Sequence, residues 1–183
     1  MTKQVLFVQG GGQGVHDEWD NKLVESLQRE LGTDYEIGYP RMPNEADPKY
    51  SLWKTALKKE FAKLDDGAIL IGHSIGATIL INVLAEQSSG LPPGGIFLIA
   101  APFVGEGGWR SEDIESMANL GARLPEQWKI YFYQGSEDDT VPFAHVDLQE
   151  KGVPQAIVRR LADRDHQLNE DMSEVAADIR RLE

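Results

Sequence analysis

The sequence predicts an α/β fold, a three-layer α/β/α sandwich built on a six-stranded parallel sheet. Two observations carry the prediction. Strand-like and helix-like stretches alternate from end to end, the pattern of repeated strand–helix crossovers. The strand-like runs at 68–71 and 96–101 are apolar at every position, not at every second one, as expected of strands covered by helices on both sides.

Residues 5–9 form the first strand and run into a glycine-rich segment, Gln9-Gly10-Gly11-Gly12-Gln13-Gly14. A helix over 17–31 follows, with Leu23, Leu27 and Leu31 at four-residue spacing on one face. Residues 35–39 read as the second strand, closed by Pro40 and Pro43. The second helix, 51–64, puts Leu52, Trp53, Ala56, Leu57, Phe61 and Leu64 on one face and the pair Lys58-Lys59 in solvent. The third strand, 68–71, leads through Gly72-His73-Ser74-Ile75-Gly76 into a helix over 77–86, with no breaker before Gly90. The fourth strand, 96–101, ends at Pro102; an irregular stretch at 105–108 and a short helix within 111–121 follow it. The fifth strand spans 128–134, the next helix 142–150, the sixth strand 155–161 and the closing helix 173–182, with Ser173 as its N-cap. No repeat, low-complexity tract or linker intervenes, so residues 1–183 read as one domain.

Composition removes several classes of function. A net charge of -12 argues against nucleic acid, whose phosphates demand basic clusters, and disfavours anionic membrane surfaces. No apolar run approaches the ~20 residues that span a bilayer. The chain has no cysteine, so disulfides, thiolate chemistry and Cys-ligated metals drop out. The first residues enter a strand without the shape of a cleavable signal, and cytoplasm is the expected location. The glycine-rich segment misses the dinucleotide fingerprint: counted from Gly10 the third glycine position is Val15, and from Gly12 it is Asp17.

The chemistry concentrates after strands, where a parallel sheet places its functional loops. A Gly-x-Ser-x-Gly match between an apolar run and a helix presents Ser74 on a sharp turn, its hydroxyl exposed at a helix N-terminus whose free N–H groups suit an anion. Asp138 and Asp139 follow the fifth strand, and His166 follows the sixth. Of the other histidines, His73 lies inside the pentapeptide with its side chain expected to point away from the serine's. His16 comes early enough to line a pocket, and His145 is expected to face outward from the helix after Asp138.

The order Ser, Asp, His resembles that of the α/β-hydrolases. Over its whole length the chain is similar to their small, lid-less serine hydrolases, the group that includes the retinoblastoma-binding serine hydrolase and its bacterial relatives. The motifs that carry the likeness are the glycine loop followed by Trp19, the Gly72-to-Gly76 pentapeptide, the Gly135-x-x-Asp138-x-x-Val141-Pro142 loop, and His166. The resemblance implies the strand order 2-1-3-4-5-6 and a triad of Ser74, Asp138 and His166, selecting Asp138 over Asp139. It also implies an oxyanion hole from the Ile75 N–H and one in the glycine loop. The family's His-Gly there reads Gln9-Gly10 here, which makes Gly11 the second donor with Gly12 as its competitor.

His166 would take the Ser74 proton during attack, and Asp138 would hold the imidazole in the productive tautomer. Gly12, His16, Phe103 and Trp109 are the candidate pocket residues, with Val104, Trp19 and Trp53 as further wall candidates; core packing is the expectation for Trp53. Small or medium carboxylic esters, thioesters or amides are the expected small-molecule substrates, with no cofactor and no metal. Two alternatives use the same scaffold: an idle hydrolase fold that binds or senses, and a cofactor-free enzyme of non-hydrolytic chemistry.

Overall fold

A computed structural model describes residues 2–86 and 92–182; Gly90 lies outside them. The six strands are β1 (Lys3–Val8), β2 (Tyr35–Gly38), β3 (Ile69–His73), β4 (Gly95–Ile99), β5 (Ile130–Gly135) and β6 (Ile157–Leu161). They pair in parallel throughout, in the order β2-β1-β3-β4-β5-β6, as the resemblance implies. The α-helices are α1 (Asn21–Leu31), α2 (Tyr50–Phe61), α3 (Ile75–Glu86), α4 (His145–Gly152) and α5 (Ser173–Arg180).

The unbroken apolar runs are explained by two separate cores. Successive strand side chains point to opposite faces. Leu6, Val8, Leu70, Ile96, Leu98, Ile130 and Phe132 therefore meet α2 and α3 through Trp53, Leu57, Ile79 and Leu80. Their neighbours Val5, Phe7, Ile69, Ile71, Phe97, Ile99 and Tyr133 meet α1 and α5 through Leu23, Leu27, Val175 and Ile179. Trp53 is fully buried, and its indole N–H donates to the Pro43 carbonyl; truncation to alanine is expected to cost about 3–5 kcal/mol.

Three local expectations change. The helix expected over 17–31 begins as a π-helical turn, Val15–Asp20, before α1 proper. No α-helix forms within 111–121; the segment meets only a 3₁₀ turn at Leu120–Arg123. Ile114, Met117 and Leu120 are buried at helical spacing, but Ser111 Oγ takes the Asp113 and Ile114 N–H groups and Met117 N–H bonds the Val104 carbonyl. Such local bonds compete with a helix ladder. Ser173 is the first residue of α5 and not its cap; its N–H is taken by Asp171 Oδ1.

Candidate active site

Ser74 sits between β3 and α3 with φ +53°, a left-handed conformation rare for a residue with a side chain. The flanking glycines follow from packing. A Cβ on Gly72 would collide with the backbone of Ala77, and one on Gly76 with the Gln9 carbonyl. Ser74 N–H donates to Ile99 O at 2.8 Å, tying the turn to β4. The hydroxyl thus stands above the carboxyl end of the sheet.

His166 arrives on the loop after β6. That loop is braced by Asp165, whose Oδ1 accepts the N–H groups of Gln167 and Asn169 at 2.9 and 2.7 Å. It abuts the loop after β5: Glu137 N–H donates to Arg164 O at 2.9 Å, an approach that a Cβ on Gly135 would block. His166 Nε2 lies 3.1 Å from Ser74 Oγ, and its Nδ1 lies 2.8 Å from Asp138 Oδ2. The Asp138 carboxylate is buried, with Oδ1 accepting the Thr140 and Val141 N–H groups at 2.8 Å each and Oδ2 accepting Gln134 Nε2 at 2.9 Å. Burial pushes this carboxyl up, but the bonds from His166 and Val141 and the His166 charge outweigh it and hold its pKa below the ordinary value. Asp139 is exposed and accepts only the Thr140 hydroxyl.

The glycine loop is clamped from two sides. Glu45 accepts the N–H groups of Gly14 and His16 and the Gln9 side-chain amide, while its carbonyl accepts Gly12 N–H at 2.6 Å. Asp20 accepts Gly10 N–H at 2.7 Å. The Gly11 N–H is left without a hydrogen-bond partner among the described residues. Gly11 packs against Ile75, whose Cγ2 lies 2.9 Å from where a Cβ on Gly11 would stand.

A cavity of about 490 Å³ opens beside Ser74 and His166. Gly10, Gly11, Val15, Trp19 and Gln167 line one part of it, and Glu137, Asp139, Thr140 and Asp165 another. The four candidate pocket residues lie elsewhere. Gly12 is turned into its bond with Glu45. His16 stacks on Tyr39 at 4.1 Å and bonds Asp17 and the Tyr39 carbonyl. Phe103 is buried in the core, and Trp109 walls a separate cavity with Val104 and Arg110. The cause is the loop after β4, which folds back on itself through Trp109 N–H to Phe103 O at 2.8 Å. His145 fastens it: far from facing outward, this histidine is buried, and its Nδ1 accepts Phe103 N–H at 2.9 Å. Burial pushes the His145 imidazole below the ordinary histidine pKa, as suits an acceptor. Trp19, half exposed at the cavity, takes the place expected of Trp109.

A family model described as "Serine hydrolase" matches residues 6–157, a span that takes in Ser74 and Asp138 and stops short of His166. The chain belongs to the serine hydrolase family. Its fold recurs in solved structures. The ydeN gene product of B. subtilis superposes with TM-score 0.71 at 17% identity, covering 99% of this chain and 98% of that one. The esterase RhEst1 of Rhodococcus sp. ECU1013 gives 0.73 at 15%, covering 98% and 90%. A bromoperoxidase from Bacillus anthracis gives 0.74 at 11%, covering 100% and 92%. At these identities the likeness is one of fold. No curated protein matches the chain. Among the described residues, no helix is long and apolar enough to cross a membrane, and no His, Asp and Glu group is arranged to hold a metal ion.

The sequence reading missed Asp20 and Glu45, which organise the glycine loop. Both are acidic residues in a chain with 30 of them, and no local pattern separates them from the solvated majority.

Proposed function

We propose that this serine hydrolase cleaves small or medium carboxylic esters, with thioesters and amides as related substrates, through an acyl-enzyme on Ser74. One observation carries the reading: the unbroken hydrogen-bond chain from Asp138 through His166 to Ser74, with links of 2.8 and 3.1 Å. Serine is a weak nucleophile at its own pKa and needs a base in contact. His166 Nε2 takes the Oγ proton as Oγ bonds the substrate carbonyl carbon, and Asp138 stabilises the imidazolium that results. The oxyanion is received by the N–H groups of Ile75 and Gly11; Gly12 is the poorer donor because its N–H is already committed to Glu45. Collapse breaks the bond to the leaving alcohol, which leaves with the proton from His166. Water, deprotonated by His166, then splits the acyl-enzyme and restores the Ser74 hydroxyl. No step requires a cofactor. The cavity of about 490 Å³ suits a small or medium acyl ester.

The test is a fluorophosphonate, read by intact mass on wild type, Ser74→Ala and His166→Ala. A single adduct on wild type alone supports the mechanism. No adduct on any of the three refutes it and favours a binding or sensing role.

A further inference from the structure

A second histidine–aspartate pair lies directly beneath the nucleophile. His73, the last residue of β3 and next to Ser74, is 1% exposed and Asp20, at the end of the π-helical turn, is fully buried. His73 Nδ1 lies 2.9 Å from Asp20 Oδ2, and His73 Nε2 lies 2.9 Å from the backbone carbonyl of His166. A carbonyl oxygen only accepts. Asp20 is an acceptor in its other contacts too, taking Gly10 N–H on Oδ2 at 2.7 Å and Gln167 Nε2 on Oδ1 at 3.2 Å. Both ring nitrogens of His73 therefore face acceptors, and a neutral imidazole has one N–H to give.

We propose that His73 and Asp20 form a buried imidazolium–carboxylate pair that positions the oxyanion loop and the base loop against the nucleophile turn. Asp20 holds the oxyanion loop through Gly10 and the base loop through Gln167. The His73 cation holds the backbone of His166. The pair acts through these groups and touches no reacting atom. The inference rests on the hydrolase reading of Ser74.

The charge state is consistent with its surroundings. Burial works against the imidazolium, but the Asp20 charge and the bonds to Asp20 and the His166 carbonyl outweigh it and hold the His73 pKa above the ordinary value. Burial likewise pushes Asp20 up; the His73 charge and the bonds from His73, Gly10 and Gln167 hold it down instead. The other titratable groups facing the pair are His166, its ring centroid 4.8 Å from that of His73, Asp138 from the loop after β5, and Tyr39 from the end of β2. Removing one partner of such a pair strands the other's charge.

Two measurements test the proposal. In nitrogen-15 NMR of the wild-type protein at about pH 7.5, both ring nitrogens of His73 are expected to carry protons, above the ordinary histidine pKa of about 6.5. A singly protonated ring overturns the ion pair. In steady-state hydrolysis of p-nitrophenyl acetate, folded Asp20→Asn is expected to lose about 10²-fold in kcat with KM within about twofold, the signature of displaced catalytic groups with binding intact. A kcat within about twofold of wild type overturns the positioning role. Should Asp20→Asn not fold, Gln167→Leu cuts the base-loop tie alone. A loss of about threefold or more in kcat at unchanged KM is then expected, and wild-type kcat overturns the role. Failure of the hydrolase reading looks different, because wild type itself would then neither hydrolyse the ester nor take the fluorophosphonate.

Discussion

Two histidine–aspartate pairs of the same composition lie side by side in this protein, and the partner on the far ring nitrogen separates them. His166 and His73 each set Nδ1 against a buried carboxylate oxygen, at 2.8 and 2.9 Å. On Nε2, His166 meets the Ser74 hydroxyl, whereas His73 meets a backbone carbonyl. A hydroxyl donates as well as accepts, so a neutral imidazole is satisfied there and stays available as a base. A carbonyl accepts only, which commits the second ring to two protons and to holding structure. Side-chain chemistry alone does not separate the two pairs; the hydroxyl that can donate at the open end does.

The largest expected effect removes that open end. Ser74→Ala leaves the fold and both pairs in place and should lower kcat on a p-nitrophenyl ester by roughly 10⁴-fold or more. Near-wild-type turnover would show that the open pair is not the catalyst. Asp138→Asn should cost about 10⁴-fold, through the wrong imidazole tautomer. Its neighbour offers the control: Asp139→Asn, changing an exposed side chain that does not touch His166, should stay within about twofold. Equal losses in the two variants would contradict the assignment of Asp138.

The closed pair is better broken by pH. His73 is held above its unfolded value, so its contribution to stability is complete below about pH 6.5 and fades as pH rises through the folded value. Asp20 is held below its unfolded value, so its contribution is complete above about pH 3.9 and is lost as pH falls through the folded value. The difference in Tm between wild type and Asp20→Asn should therefore be widest between about pH 4 and pH 6.5 and narrow toward alkaline pH. A difference that stays flat or grows as pH rises from about 6.5 into the alkaline range would argue for an uncharged His73.

The smallest effect concerns the entrance to the open pair. Glu137, Asp139 and Asp165 line the cavity, and among the described residues no lysine or arginine does. Neutral or cationic esters should exceed an anionic hemisuccinate ester of matched size by about tenfold in kcat/KM at low ionic strength. The gap should shrink in about 0.5 M salt as screening shortens the field. A preference for the anionic ester would reverse this reading of the rim.

Much of this was legible in the sequence because it is local. Strand and helix periods are written in neighbouring residues, and parallel strands send their carboxyl-end loops to one edge of the sheet. The juxtaposition of Ser74, Asp138 and His166, on loops after β3, β5 and β6, could therefore be expected before their contacts were seen. The glycines of the turn around Ser74 were legible too, since a missing Cβ reports a close backbone approach. What stayed hidden depends on contacts between distant segments. Phe103 and Trp109 read as pocket walls, yet a buried His145, 42 residues from Phe103, fastens their loop elsewhere. Of the wall candidates read from the sequence it is Trp19 that lines the cavity, carried there by the π-helical turn.

By itself, then, the sequence determined the layers, the strand-end positions of the reactive groups, and the need for glycine at the turn, all consequences of backbone period and steric volume. Only the tertiary structure decided which walls face the cavity, which glycine N–H stays free, and which of two histidines meets a hydroxyl at Nε2 and which a carbonyl. Those depend on hydrogen-bond acceptors supplied across long separations, as with Asp20 and His73, 53 residues apart, and no local pattern encodes what a ring nitrogen will meet at its far end.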